Sequence, residues 1–299
     1  MSSIYTNKES NIRKTWALFF GFLVFVIGAG WIFSVALNEP GILYFAVVFS
    51  LVMNVLSYWY SDKIVLSMAR AKPVSEEENP ELYRIVENLA ITAGLPTPKI
   101  YITPEAAPNA FATGRNPEHA VIAVTEGILN KLDRSELEGV LAHEMSHIGN
   151  RDMLLSTAIV VLVGFISIIS DIFFRSMFFG RRNSDEERVG GAIIMVLAVA
   201  FSFLAPIAAT IMQLAISRKR EFLADSSGAL LTRYPEGLAR ALEKISSDTT
   251  LIKTASNTTA HLWFSDPFKE GKKTPWLHKL FMTHPPVEER VRVLRGMKI

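Results

Sequence analysis

The chain has 299 residues, a formal net charge of +2 at pH 7 and no cysteine. So small a charge gives no reason to expect a nucleic-acid partner, and the lack of cysteine excludes disulfide bonds and thiolate metal ligands. Hydrophobic residues make up 49% of the chain. They stand in blocks, which indicates membrane-spanning segments beside a folded domain.

A polar N-terminal segment, residues 1–14, precedes two long apolar runs. The first run, at about 15–37, is long enough to cross a bilayer, which takes about 20 residues. A cleaved signal peptide is the alternative, but its apolar run would be shorter. The second run follows a short turn and lies at about 42–59. Together they predict a transmembrane hairpin over residues 15–60.

Residues 61–153 are predicted to form the first part of a folded domain. Apolar residues at helical spacing and a proline at the first position predict a helix over residues 80–93. Short runs bounded by turn residues predict a small sheet, with strands at 99–103, 109–113 and 120–124. The second strand is expected at an exposed edge, where an extended peptide could pair with it through main-chain hydrogen bonds.

The next predicted helix begins at Asp133 and carries the sequence His-Glu-x-x-His at residues 143–147. On a helix, His143 and His147 lie on one face and can hold one metal ion. Two imidazoles with an adjacent carboxylate are typical of zinc hydrolases, in which the carboxylate accepts a proton from water. Glu144 is therefore the candidate general base, and one zinc ion per chain the candidate cofactor. The alternative is a surface helix that carries these residues by chance.

A second transmembrane hairpin is predicted over residues 154–216, with spans at about 154–174 and 190–216. No helix-breaking residue separates the first of these spans from the metal-binding pattern. The sequence therefore predicts one long helix that carries the ligands into the membrane. Residues 217–299 are predicted to form the second part of the folded domain.

A catalytic zinc usually takes three protein ligands, and Glu221 is the candidate for the third. Asp225 lies four residues later on the same helical face, where it can accept a hydrogen bond from a metal-bound histidine. A surface acidic pair is the alternative. Two spans separate His147 from Glu221, so the chain returns to the side it left and the two halves of the site can meet.

Basic residues flank the predicted spans mainly on one side, which the positive-inside rule assigns to the cytoplasm. They are Lys8, Arg13, Lys14, Lys63, Arg70, Lys72, Arg218, Lys219 and Arg220. Four arginines in the link between the third and fourth spans count against this assignment. The preferred prediction is a multi-pass protein of the prokaryotic plasma membrane with its active site facing the cytoplasm.

At this point the chain resembles the HtpX heat-shock membrane metalloproteases, whose relatives include the eukaryotic prenyl-protein endopeptidases. The resemblance rests on four motifs in order: NAFATG at 109–114, HEMSHIGNRD at 143–152, EFLAD at 221–225 and THPP at 283–286. It implies four transmembrane helices with a zincin-like α+β catalytic domain. It also implies that His143, His147 and Glu221 bind zinc and that Glu144 is the general base. Asp225 would accept a hydrogen bond from a zinc-binding histidine without contacting the metal.

By the same resemblance, Asn109 and His284 lie at the substrate, where they would help to stabilise the oxyanion. The strand residues Ala110, Phe111 and Ala112 are candidate substrate-binding residues with Asn109. The resemblance further implies a protease of membrane-protein quality control under stress, whose substrates are misfolded or damaged membrane proteins, with unfolded soluble proteins as a second candidate class. A narrow-specificity processing protease of the prenyl-protein type and a non-catalytic, zinc-stabilised membrane binding protein are the alternatives.

Overall fold

Two long apolar helices open the chain. The computed structural model describes residues 4–179, 218–254, 262–265 and 285–298, without the side chains of 4–8, 36–37 and 167–179. Helix α1 is Ile4–Leu37 and α2 is Gly41–Met68. Both contain stretches long and apolar enough to cross a membrane. A pair of packed helices thus stands where the first transmembrane hairpin is predicted, and each helix is longer than the predicted span.

Helix α6, Met153–Phe179, packs against both of these helices. Leu155 and Leu162 of α6 share a buried apolar cluster with Phe22 of α1. The helix before α6 is Arg134–Gly149. If this helix and α6 are counted as one bent span, the described residues contain a third segment that is long and apolar enough to cross a membrane. The predicted fourth span, 190–216, lies outside the described residues.

The predicted sheet forms with one additional strand. Its strands are β1, Lys72–Pro73; β2, Lys99–Thr103; β3, Ala110–Thr113; and β4, Val121–Thr125. Their order is β1-β2-β4-β3, with β2 parallel to β4 and β3 antiparallel to it. The two-residue β1 is too short to produce an alternating pattern, so the sequence analysis missed it.

Strand β3 lies at the edge of the sheet, as predicted, but the edge is not exposed. All four of its residues are buried. The backbone N–H of Phe264 donates to the carbonyl of Ala110 at 2.9 Å, so a distant part of the chain covers the edge. No local pattern signals this contact, because its two partners are far apart in the sequence.

Helix α5, Arg134–Gly149, is the centre of the folded domain. It begins at the predicted cap: Asp133 Oδ1 accepts from the N–H of Glu136, and Glu136 Oε2 accepts from the N–H of Asp133, both at 2.9 Å. The helices around it are α3, Pro80–Ala93; α4, Glu126–Lys131; α7, Arg218–Thr232; α8, Pro235–Ser247; and α9, Val287–Arg295. Apolar residues of these helices and the sheet form one buried core.

The prediction of one unbroken helix from the metal-binding pattern into the membrane was wrong. Helix α5 ends at Gly149, Arg151 has a φ of +54°, and α6 leaves at 84° to α5. A positive φ is unfavourable for a residue with a side chain, so tertiary contacts must support the turn. One is visible: the side-chain amide of Asn11 on α1 donates to the carbonyl of Asn150 at 3.2 Å.

Helix α7 approaches α5 closely at a glycine. A Cβ atom at Gly228 would lie 2.9 Å from the backbone nitrogen of His143, nearer than packed atoms tolerate. The absence of a side chain at Gly228 therefore lets α7 lie directly against the first histidine. This contact sets Glu221 and Asp225, both on α7, opposite the two histidines of α5.

Candidate active site

Three candidate metal ligands converge between α5 and α7. The Nε2 atoms of His143 and His147 are 3.1 Å apart, and carboxylate oxygens of Glu221 lie 3.8 Å from each of them. One ligand atom from each residue falls within 4.8 Å of the others. Two nitrogens that share a tetrahedral zinc ion at about 2.0–2.1 Å would be roughly 3.3 Å apart. The spacing therefore fits a metal ion.

The second nitrogen of each histidine faces a carboxylate. Nδ1 of His143 lies 2.9 Å from Asp225, and Nδ1 of His147 lies 3.1 Å from Asp152. A hydrogen bond from Nδ1–H leaves the Nε2 lone pair free for a metal and makes it a better donor. This arrangement of both rings is the second observation that fits a metal ion here.

Asp152 was not assigned a role from the sequence, although it lies within the HEMSHIGNRD motif. It follows the end of α5, and only the sharp turn before α6 brings its carboxylate back to His147. We expect Asp152→Asn to weaken zinc binding by about 10–100-fold, the usual cost of removing a partner that orients a ligand. Competition with a chromogenic chelator would measure this. Unchanged affinity would show that Asp152 does not orient His147.

The electrostatics of the two histidines differ. Burial lowers the pKa of His143, more strongly than the nearby Asp225 raises it, so this ring is neutral and suited to a metal. Burial also acts to lower the pKa of His147, but the charge of Asp152 and the carboxylates of Glu221 and Glu144 outweigh it and raise the pKa to about 10. A metal would therefore bind with release of a proton from His147.

Glu144 lies in the same cavity as these ligands and is 2% exposed. Burial raises the pKa of its carboxyl group to about 7, with a further rise from Glu221 and opposing effects from His147 and the backbone of Ala112. A carboxyl group with a pKa near neutrality can both accept and return a proton at physiological pH. The environment therefore suits Glu144 to general acid–base chemistry.

A buried arginine completes the cluster, and the sequence analysis missed it. Arg290 of α9 contacts Asp225 through two hydrogen bonds, from Nε at 2.8 Å and from Nη2 at 2.7 Å, and both side chains are 1% exposed. Arg290 outweighs the effect of burial on Asp225 and lowers the pKa of that carboxyl group to about 2. A single arginine in a helix that carries both acidic and basic residues gives no sequence signal for this role.

The candidate substrate residues are only partly described. Strand β3 brings Ala112 to the same cavity as Glu144. The side chain of Asn109 is 1% exposed and bonded to the backbone of Ser265, while Phe111 packs against Trp263 on the other face of the strand. His284 lies outside the described residues.

The fold and the site define a class: a membrane protease whose chemistry depends on a metal. A model of peptidase family M48 matches residues 76–298, and the chain belongs to this family.

Curated relatives extend the similarity over nearly the whole chain. The chain is 51% identical over 255 residues to the protease HtpX homolog of Syntrophobacter fumaroxidans, covering 84% of this chain and 88% of the relative. It is 42% identical over 302 residues to that of Caldanaerobacter subterraneus subsp. tengcongensis, covering 99% of both. Among solved structures, S. mikatae Ste24p shares the fold with a TM-score of 0.52 and 22% identity, over 94% of this chain and 66% of that one.

Proposed function

We propose that the chain is a multi-pass zinc endopeptidase of a prokaryotic plasma membrane that degrades misfolded or damaged membrane proteins during stress. The observation that carries the proposal is the convergence of His143, His147 and Glu221 beside the buried Glu144. Membrane-capable helices in the same chain and relatives named HtpX homologs support the membrane substrates. The flanking basic residues support an active site that faces the cytoplasm.

In this proposal one zinc ion per chain is held by His143, His147 and Glu221. Zinc supplies Lewis acidity, which polarises the substrate carbonyl and acidifies water. Asp225 and Asp152 hold the two imidazoles in the tautomer that leaves Nε2 free, and Arg290 holds Asp225 in turn. We further propose that residues 61–153 and 217–299 are the two halves of the catalytic domain, joined by the hairpin at 154–216.

Glu144 is the general base in this mechanism. It takes a proton from the attacking water and returns it to the amine that leaves, so that one carboxyl group serves both halves of the reaction. Strand β3 aligns the substrate through its main chain, and Asn109 and His284 contact it near the reacting carbonyl. Recognition through main-chain groups reads little sequence, which suits an enzyme that removes unfolded segments of many proteins.

One observation favours this proposal over a non-catalytic protein with a structural zinc. A structural zinc site closes all four positions with protein ligands. In the part of the chain that the structure describes, the cluster contains three candidate ligands. Three protein ligands are the number typical of a catalytic zinc, whose fourth position takes water or substrate.

Metal removal tests the proposal directly. We expect the detergent-purified chain to cleave casein and a destabilised membrane protein, to lose this activity on complete chelation and to regain it with zinc, because zinc would supply the Lewis acid that the reaction needs. The same membrane protein in its stable folded form should be cleaved more slowly. Cleavage that persists in metal-free protein, or that prefers the folded substrate, would contradict the proposal.

A further inference from the structure

Four residues of the chain, Leu262–Ser265, lie on the open edge of the sheet beside the candidate metal ligands. We call them the covering segment. Among the described residues, β3 pairs within the sheet with β4 alone, so an added strand would pair with the outer side of β3. The covering segment already occupies this side, where Phe264 N–H donates to the carbonyl of Ala110 at 2.9 Å.

The covering segment also satisfies both polar groups of Asn109. Ser265 N–H donates to Asn109 Oδ1 at 3.1 Å, and Asn109 Nδ2 donates to the carbonyl of Ser265 at 2.8 Å. A side-chain amide that bonds to one backbone N–H and one backbone C=O recognises the main chain of a peptide. This recognition does not depend on the side chains that the peptide carries. These are the contacts that an extended peptide substrate would make.

The side chain of Phe264 reaches the candidate catalytic centre. Its ring meets that of His143 edge to face at 5.0 Å, and the Arg290 guanidinium lies over it at 5.0 Å. Arg290 Nη1 also donates to the Phe264 carbonyl at 3.4 Å. Phe264 lines the same cavity as Glu144. A substrate bound along β3 and a covering segment in this position therefore cannot be present together.

The neighbouring tryptophan is less well satisfied. Trp263 is 2% exposed and packs against Phe111, with ring centroids 4.9 Å apart. Its indole N–H has no hydrogen-bond partner within the described part of the structure. A buried donor without a partner weakens the hold of a segment on its site. This imperfect fit suits a segment that leaves when a substrate binds.

We propose that the covering segment is an internal mimic of the substrate. It occupies the peptide-binding edge in the free enzyme and must leave before a polypeptide can bind. The preferred substrates are then extended segments that present consecutive large apolar side chains, as Leu262, Trp263 and Phe264 do. Such segments are exposed when a membrane protein unfolds. The inference rests on the proposed function, because it takes β3 as the substrate-binding strand.

The test measures peptide binding, so it does not depend on cleavage. A fluorescent peptide Leu-Trp-Phe-Ser-Asp, the sequence of residues 262–266, is titrated into the full-length, zinc-loaded Glu144→Gln protein in detergent. In this background Ser265→Pro removes the N–H that bonds to Asn109 and does not alter the Phe264 side chain itself. We expect the peptide to bind about tenfold more tightly, the factor expected if the covering segment occupies the edge about nine-tenths of the time.

Two further variants sharpen the result. Phe264→Ala should also tighten binding, with zinc content measured because this ring touches His143. Leu251→Ala removes an exposed apolar side chain outside the segment and should bind like the parent. A peptide of the same composition in which serine and aspartate separate the three apolar residues should bind more weakly to every protein.

The opposite result would overturn the inference. If Ser265→Pro retained zinc and bound the peptide no more tightly than the parent, the covering segment would be a fixed wall of the site. The proposed function can fail separately. If Glu144 proved dispensable for cleavage, or if the enzyme cleaved nothing, the protease mechanism would be contradicted. Tighter peptide binding by Ser265→Pro would still support the covering segment as a competitor of the peptide.

Discussion

Glu144→Gln is expected to lower kcat/KM for casein by roughly 10²–10⁴-fold, the usual contribution of a general acid–base residue. Glutamine has almost the same shape as glutamate, but its amide cannot accept the proton of the attacking water. The proposed ligands His143, His147 and Glu221 are untouched, so the variant should bind as much zinc as wild type. Cleavage kinetics and metal analysis on the same preparation measure both quantities.

A matched control is available on the neighbouring helix. Glu126 of α4 is exposed, and Glu126→Gln makes the same chemical change at a residue that does not line the cavity of the candidate ligands. It should cleave casein at the wild-type rate. If Glu144→Gln and Glu126→Gln were equally active, another group would have to act as the base. If Glu144→Gln lost its zinc, the residue would be needed for the integrity of the metal site.

Arg290→Met is expected to destabilise the protein by about 3–5 kcal/mol, because it leaves the buried carboxylate of Asp225 without its partner. The pair is fully enclosed, with each side chain 1% exposed. Since the pKa of Asp225 is lowered to about 2, the stabilisation by the pair is present above the unfolded-state pKa and is lost as the pH falls towards 2. Thermal unfolding in detergent at neutral pH would measure the difference.

Arg295 on the same helix provides the control for Arg290. Its guanidinium contacts two carboxylates at the surface, Glu236 at 3.0 Å and Glu243 at 2.8 Å, but the side chain is 44% exposed. Exposed ion pairs contribute little because water screens them, so Arg295→Met should shift the unfolding temperature far less. Equal effects of the two substitutions would show that Arg290 contributes no more than a surface charge.

A second comparison separates stability from the metal site. Arg290→Lys keeps the positive charge but cannot form two parallel hydrogen bonds with one carboxylate. It should recover much of the stability but not the full zinc affinity, because Asp225 would then orient His143 less firmly. The double variant Arg290→Met with Asp225→Asn has no unpaired buried charge, and it should be more stable than Arg290→Met alone.

Local patterns in the sequence were enough to predict most of the elements. Helix α3 and strand β2 lie at the predicted residues, because proline, glycine and asparagine mark their ends. The start of helix α5 at Asp133 was also predicted from the sequence. Residues four apart on a helix must share a face, and the structure places His143 and His147 with their Nε2 atoms together.

Contacts between distant parts of the chain were not predictable in this way. Arg290 lies 65 residues from Asp225, and Phe264 lies far along the chain from β3. No periodicity or motif links such partners, because each pair is brought together only by the packing of α7, α9 and the sheet around α5. The turn after Gly149, which brings Asp152 to His147, depends in part on Asn11 of a different helix.

The sequence by itself therefore determined which residue types are available for metal binding and proton transfer. The tertiary structure decided how these side chains are oriented and which segment covers the site. His143, Glu144 and His147 stand at short spacings, which helical geometry alone brings together, whereas the proposed third ligand, Glu221, reaches them only through the packing of α7 against α5. The orientation of each imidazole, the enclosure of Glu144 and the cover over β3 depend on long-range packing. Burial and paired charge, which raise the pKa of Glu144 and lower that of Asp225, exist only once the chain has folded.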